Sequence, residues 1–422
     1  MLKKLIKQMW QERRASLLIG LELLVVTVFM WFAVDSLLIA YKNFSMPLGF
    51  DISHVYHVEL GSIPQKSPDY IPLTEESSRT GADFLTIINR LRQHPDVEAA
   101  SHTSWNHFHY KWQNSFTAFQ LDSTIIPRGY VRSVAPSYFS LFKVKAADGR
   151  DAQLLIDALE RNEIVVTQLV AETFFGSVAN AIGKEISCKD QGNAEGKLYR
   201  IGAVCENQRY NEFSDYDYAY YKSIPASDMG RSNINALNYP LFIRVKATAD
   251  NKRFPIEFQK EMAQQLKLGN IYLKEIHPMS EYREEHIRKW IDDMRMNMAV
   301  IVFFLLNVFL GVIGTFWLKT QQKQGEIGLR IAVGATRGSI FGWLISQAVI
   351  ILLVAFTLAS IIFGNLCYMG IVSPSEWMNV PERILIGIAV TFLLLLVMIV
   401  IGISFPAYRA MRLQPAEALH YE

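Results

Sequence analysis

The sequence is poor in cysteine, nearly balanced in charge and without a recognisable nucleotide-binding or catalytic motif. Each shortage removes a class of function. Only three cysteines occur in 422 residues, Cys188, Cys205 and Cys367, and none has the spacing of a zinc site. Cys188 and Cys205 lie in the polar middle of the chain. They either pair in an oxidising compartment or stay as two buried thiols, and the sequence leaves both open. A formal net charge of +2 offers no concentrated basic face, so nucleic acid is not expected as a partner. A phosphate loop needs four residues between its glycines and a hydroxyl after the lysine. The nearest approach, Gly176 to Lys184, has six residues between its glycines and Glu185 after the lysine. Neither a nucleophile triad nor a catalytic pair of carboxylates can be assigned. The chain is therefore expected to be non-catalytic, with no metal centre and no cofactor of its own.

What the chain has in quantity is apolar residue. Half of it is hydrophobic (50%), yet its mean hydropathy is only +0.14, which points to a mixture of membrane and polar segments. Stretches of ~20 apolar residues cross a bilayer, and four are long enough: 17–41, 298–318, 341–372 and 384–408. The first is too long for a signal-peptide core and is followed by no small-residue cleavage site, so it reads as a retained anchor. Basic residues set the orientation. They cluster in the N-terminal tail (1–16; Lys3, Lys4, Lys7, Arg13, Arg14), in the 319–340 loop (Lys319, Lys323, Arg330, Arg337) and in the 409–422 tail (Arg409, Arg412). Both termini and that loop are thus expected in the cytoplasm, with 42–297 outside. Glu22 and Asp35 fall near the ends of the first span, where each can snorkel or face another helix.

The fold class expected is membrane α plus extracytoplasmic α/β. Between the first two spans, strand-like Ile52–Leu60, a helix near Asp83–Arg92 and strand-like Val97–Ser101 form one βαβ unit. Leu241–Lys246, a helix opened by Pro255 and Ile271–Ile276 repeat that order. The two units (42–115 and 236–279) suit one split sheet, and the strand-rich stretch 116–235 suits an inserted second lobe. Charge of both signs alternates at helical spacing through 280–297, as in a solvated stalk helix running on into the second span.

Two segments invite a functional reading. His102, His107 and His109 lie among Trp105, Phe108, Tyr110 and Trp112; the aromatic four are the candidate contact with an outer partner, since such stretches more often pack than ligate. In the 319–340 loop, Glu326 to Val333 can form a short amphipathic helix, with Ile327, Ile331 and Ala332 on one side, followed by a turn at Gly334-Ala335. It suits either docking into a groove on a soluble partner or resting in the headgroups.

The residues of that loop, Glu326, Ile327, Gly328, Leu329, Arg330, Ala332, Gly334 and Ala335, resemble the characteristic segment of FtsX-like permeases, particularly MacB-type ABC-transporter subunits. The C-terminal positions Pro406, Ala407, Ala410, Pro415, Glu417, Ala418 and Leu419 are similar to the same family's ending. Ser133–Arg150 and Glu163–Gly176 resemble its periplasmic core pattern. The resemblance implies a two-lobed periplasmic domain, a homo- or heterodimer of permease chains in the bacterial inner membrane, and contact with membrane lipid. It also implies a cytoplasmic ABC ATPase docking on Glu326, Ile327, Gly328, Leu329, Arg330, Gly334 and Ala335. ATP and Mg2+ would belong to that partner, expected as a separate polypeptide because the chain begins just before its first span. A periplasmic adaptor is a further expected partner. The function implied is transmission of ATP-driven motion for efflux or lipoprotein handling. The alternative is a non-transporting regulator or sensor that controls cell-wall hydrolases or antimicrobial-peptide signalling.

Overall fold

The computed structural model describes residues 13–72, 80–104, 109–110, 115–190, 196–224, 238–369 and 380–410. The chain divides into a β-rich unit, Ser45–Lys289, and a helical unit made of Met1–Phe44 with Trp290–Glu422.

In the β-rich unit, β1 (Val55–Ser62), α2 (Thr80–Gln93) and β2 (Val97–His102) come first, after helix α1 (Arg13–Ser45) of the helical unit. Strand β9 (Leu241–Val245), α7 (Phe254–Met262) and β10 (Ile271–Pro278) return after a long insertion. The four strands form one sheet in the order β10-β1-β9-β2, every neighbouring pair antiparallel. The two βαβ units are therefore interleaved, with β9 lying between β1 and β2. Helix α2 buries Phe84, Ile87, Ile88 and Leu91, a stripe at 3- and 4-residue intervals that meets the sheet. Each of these side chains contributes about 1.5–3 kcal/mol when fully buried. Phe258, Met262 and Leu266 join the same core from α7 and the turn after it.

The insertion is a closed barrel, a form the strand-rich reading did not specify. Its strands are β3 (Ser115–Leu121), β4 (Thr124–Val134), β5 (Ile164–Thr167), β6 (Glu185–Asp190), β7 (Lys197–Cys205) and β8 (Ala219–Ser223), ordered β3-β4-β8-β5-β7-β6. Pairing of β3 with β6 closes it and leaves no exposed sheet edge. Short helices α3 (Tyr138–Leu141), α4 (Gln153–Glu160), α5 (Gln168–Phe175) and α6 (Val178–Ala181) connect the strands. Cys188 and Cys205 are free and buried; Cys188 faces Lys197 across the β6–β7 ladder, so the pairing alternative is not the one adopted. Burial pushes the Cys205 thiol up to about 12.

Among the described residues, four helices are long and apolar enough to cross a membrane, with candidate spans Ile19–Ser45, Met279–Gln322, Gly338–Leu366 and Glu382–Arg409. They belong to α1, α8 (Met279–Gln322), α10 (Arg337–Tyr368) and α11 (Val380–Ala410); α9 (Gln324–Ala332) lies between α8 and α10. The expected stalk and second span are one continuous helix of 44 residues. Helix α10 ends at Tyr368, short of the expected boundary at 372, which lies outside the described residues. Ile19, Leu23, Val26 and Met30 make the inward stripe of α1, against Val308, Val312 and Phe316 of α8 and Leu395, Ile399 and Ile403 of α11.

Both acidic residues of the first span face other helices. Glu22 packs against bare backbone at Gly311, where an added Cβ would lie 2.5 Å from its Oε1. Asp35 is buried and accepts from Arg383 of α11 through Nε at 2.6 Å and Nη2 at 2.5 Å. This bidentate pair joins residues 348 positions apart and supplies the fixed partner that an intramembrane charge requires.

Candidate functional site

Helix α9 is built by local signals. Its Glu326 and Arg330 pair one turn apart at 2.5 Å, and the Arg330 guanidinium lies 4.3 Å from the ring centre of Trp343, a cation–π arrangement. The helix ends in a Schellman motif. Gly334 N–H donates to Ile331 O (3.0 Å) and Ala335 N–H to Arg330 O (2.8 Å). Gly334 has φ +99°, a left-handed conformation that a glycine adopts at little cost.

The residues read from sequence as the ATPase-coupling set do not share one surface. Ile327 is 0% exposed and sits in the core of the helical unit, and Gly328 is also buried. Ile331 is half-buried against the same core, whereas Ala332 is exposed, so the expected inward face is narrower by one residue. Leu329 and Val333, four residues apart, turn outward at 56% and 81% exposure. Arg330 is engaged by Glu326 of its own helix. The partly exposed Glu326 and Arg330 and the apolar Leu329 and Val333 are what α9 presents. Val333 was read only as part of the amphipathic run; its exposure follows from its place at the helix end, beside Gly334.

Of the four aromatics read as an outer contact, Tyr110 alone is among the described residues. Trp105, Phe108, Trp112 and His107 lie outside the described residues. Tyr110, read as part of an outer contact, is 2% exposed and donates to Glu212 Oε1 (3.3 Å); it belongs to the interior because Phe50 and His286 enclose its ring. His102 and His109 are buried apart from one another. His102 packs on Phe84 and Tyr239, and burial with the nearby Arg92 charge lowers it to about 4. His109 stacks on Phe50 and shares a 2.9 Å hydrogen bond with Tyr138.

A site that sequence reasoning missed surrounds the first two turns of α8. Glu212, buried, accepts from Arg283 as well as from Tyr110. Asn211 Nδ2 lies 2.8 Å from His286 Nε2. From the sheet side, His57 Nδ1 lies 2.8 Å from the Tyr282 hydroxyl and His277 Nδ1 lies 3.0 Å from Glu281. The segment carrying Asn211 and Glu212 is itself held by two buried arginines. Arg209 donates to Ser214 O (2.7 Å) and Glu212 O (2.6 Å). Arg132 donates to Asp217 (2.8 Å) and the Tyr221 hydroxyl (2.7 Å). The stretch that follows α1 is gripped in the same way. Arg209 Nη1 donates to Met46 O (3.3 Å), and the fully buried Arg244 donates to Asp51 O (2.7 Å), Ser53 O (2.7 Å) and Leu141 O (2.6 Å). Such charge-assisted bonds to backbone, out of water, make stiff attachments. No sequence signal singled these residues out beyond the charge density of 280–297, because the partners are 71 positions apart for Arg283 and Glu212.

Four apolar helices, a two-lobed α/β-and-barrel unit and a short amphipathic helix between two spans define a multi-pass membrane protein of the permease type. Comparison with known proteins makes the class specific. Residues 25–257, more than half of the chain, match the model of the MacB-like periplasmic core domain, and residues 298–415 match the FtsX-like permease C-terminal model. The chain belongs to this family of MacB-like, FtsX-like ABC-transporter permeases. Among curated relatives, it is 27% identical over 260 residues to the macrolide export ATP-binding/permease protein MacB of Rhodopseudomonas palustris (strain HaA2), covering 58% of this chain and 36% of that protein. It is 23% identical over 303 residues to the MacB of Agrobacterium fabrum, covering 68% and 43%. The chain thus spans well under half the length of these relatives. Among solved structures, the periplasmic region of MacB from Actinobacillus actinomycetemcomitans aligns with TM-score 0.33 at 10% identity, over 58% of this chain and 94% of that one. A domain of a putative permease protein from Porphyromonas gingivalis aligns with TM-score 0.34 at 14% identity, over 54% and 91%.

Proposed function

We propose that this permease transmits ATP-driven motion from a cytoplasmic ABC ATPase to its periplasmic domain, in the service of efflux or lipoprotein handling. That ATPase binds ATP and Mg2+ and docks on α9. Two permease chains form the working dimer in the inner membrane, surrounded by lipid, with both termini in the cytoplasm. A periplasmic adaptor receives the motion on the far side. The observation that carries this reading is helix α8, unbroken from Met279 to Gln322. Its first two turns are clamped by Glu212, Asn211, His57 and His277, and its last residue is followed within two positions by α9. A continuous helix held at one end and leading in sequence to the docking element at the other is the mechanical part such a mechanism needs.

The contact surface on α9 is Leu329 with Val333, flanked by the Glu326–Arg330 pair, because Ile327 is turned into the core. The test is a pull-down of the tagged full-length protein in mild detergent, with mass spectrometry of what copurifies. Wild type should bring down a small soluble ATPase, and Leu329→Asp with Val333→Asp should lose most of it while membrane insertion is unchanged. Recovery of a cell-wall hydrolase or sensor kinase without an ATPase would replace transport by the regulatory alternative. Equal ATPase recovery by the double variant would remove α9 from the docking surface.

A further inference from the structure

The pairing of β1 with β10 sets His57 opposite His277 and Glu59 opposite Glu275. All four lie on the face of the sheet turned away from the core, since the alternate residues Tyr56, Val58 and Ile276 are buried in it. Donor atoms of Glu59, Glu275 and His277 fall within 4.8 Å of one another. We propose that this face is a binding site for one divalent transition-metal ion of the zinc class, ligated by His277 Nε2 and by the carboxylates of Glu275 and Glu59, with solvent in the remaining position.

Three features support an ion here over a plain surface salt bridge. The first is spacing. His277 Nε2 and Glu275 Oε2 are 3.0 Å apart, close to the ~3.3 Å that separates two ligands of a tetrahedral ion with bonds of ~2.0 Å. Glu59 Oε1 accepts from Lys274 at 2.7 Å, and its carboxylate already stands within 4.8 Å of the other two donors. The second is the surroundings of His277. Its Nδ1 faces Glu281 Oε2 at 3.0 Å and its Nε2 faces Glu275, so Glu281 can hold the Nδ1–H and leave Nε2 to ligate, as carboxylates do behind metal-binding histidines. The third is charge. Glu59 and Glu275 face each other across adjacent strands, balanced by Lys274 and His277, and a divalent ion bridging the two carboxylates would take over that balance. Nitrogen and carboxylate donors in this ratio suit zinc or its neighbours rather than calcium or magnesium. Because Glu281 stands in the first turn of α8, the ion would tie that turn to the sheet. The inference does not depend on the ATPase reading.

The test uses the full-length protein in detergent, stripped with a chelator and dialysed to equilibrium against Zn2+ alone, with bound metal counted by mass spectrometry. Co2+ absorption serves as the reporter of coordination geometry. Wild type should hold one ion per chain at half-saturation in the micromolar range or below. His277→Gln and Glu275→Gln should each weaken binding by ~100-fold or more, and Glu281→Gln, one shell out, by ~10- to 100-fold. All three positions are at least partly exposed, and unchanged thermal transitions would show the variants folded. His54→Gln, a partly exposed histidine outside the cluster, should bind as wild type does. Absence of stoichiometric Zn2+ in the wild type, or binding that survives His277→Gln and Glu275→Gln, would overturn the proposal.

Discussion

Removing one partner of the Asp35–Arg383 pair tests how the helical unit is held together. Both side chains are about 95% buried, and two nitrogens of Arg383 meet the two oxygens of Asp35 at 2.6 and 2.5 Å. Asp35→Leu leaves a guanidinium in a low-dielectric interior without its carboxylate. Stranding a buried charge in this way costs about 3–5 kcal/mol, or roughly 150- to 4,000-fold in the equilibrium between packed and opened helices. Asp35→Leu with Arg383→Met removes both charges and replaces them with apolar volume, which is often neutral for buried pairs. The double variant should therefore recover most of the loss, to within about 1.5 kcal/mol of wild type. A reporter local to this unit is needed, because a whole-protein melt would mix two units. Ala359 is fully buried beside Trp31 and Phe363. A cysteine placed there, in a background without the native cysteines, reports opening through its rate of maleimide labelling. Labelling should rise by at least 100-fold in Asp35→Leu and fall back in the double variant. Equal labelling in wild type and Asp35→Leu, or a double variant as open as the single one, would refute the reasoning.

Two further outcomes follow from local geometry. At Gly334, φ of +99° strains any bulky residue by about 1–2 kcal/mol, so Gly334→Trp should reduce ATPase copurification while Gly334→Asn, which tolerates the left-handed region, should retain most of it. Asp51 is partly buried, which acts to raise its pKa, but hydrogen bonds from Ser53 and the charges of Arg244 and Lys143 outweigh this and hold it below the ordinary 3.8. A folded-state pKa that is depressed means stability present above 3.8 and lost as pH falls through the lower folded value. Acid unfolding of the β-rich unit followed by circular dichroism should show that loss in wild type and a shallower acid limb in Asp51→Asn; identical limbs would exclude Asp51 as a contributor.

Much of the plan was legible in the residues because the signals behind it are local. A bilayer span is declared by a run of apolar residues, and the four runs became four helices. The stripe Phe84, Ile87, Ile88 and Leu91 declared α2 and its buried face. Alternating charges through 280–297 declared a helix that indeed continues into the second span. Gly334 declared the end of α9 through the one conformation it adopts easily. Strands were harder. Of the barrel, the stretch 116–235 was visible as strand-rich, but its closure was not. Register was beyond reach, because hydrogen-bond partners in a sheet are chosen by the whole lobe.

What the tertiary structure alone decided are the partners. Tyr110 has an aromatic neighbourhood in sequence that suits an exposed contact, yet Phe50, Glu212 and His286 close over it. Ile327 and Leu329 are both apolar and two positions apart on a helix, and only packing against α8, α10 and α11 determines that Ile327 is inside and Leu329 outside. Asp35 meets Arg383, Glu212 meets Arg283, and Glu59 meets Glu275 and His277 across separations that no periodicity spans. Hydrophobicity and helix period act between residues a few positions apart and can be read along the chain. Ion pairs, metal ligands and the choice of which apolar face is buried depend on which distant segments the fold brings together.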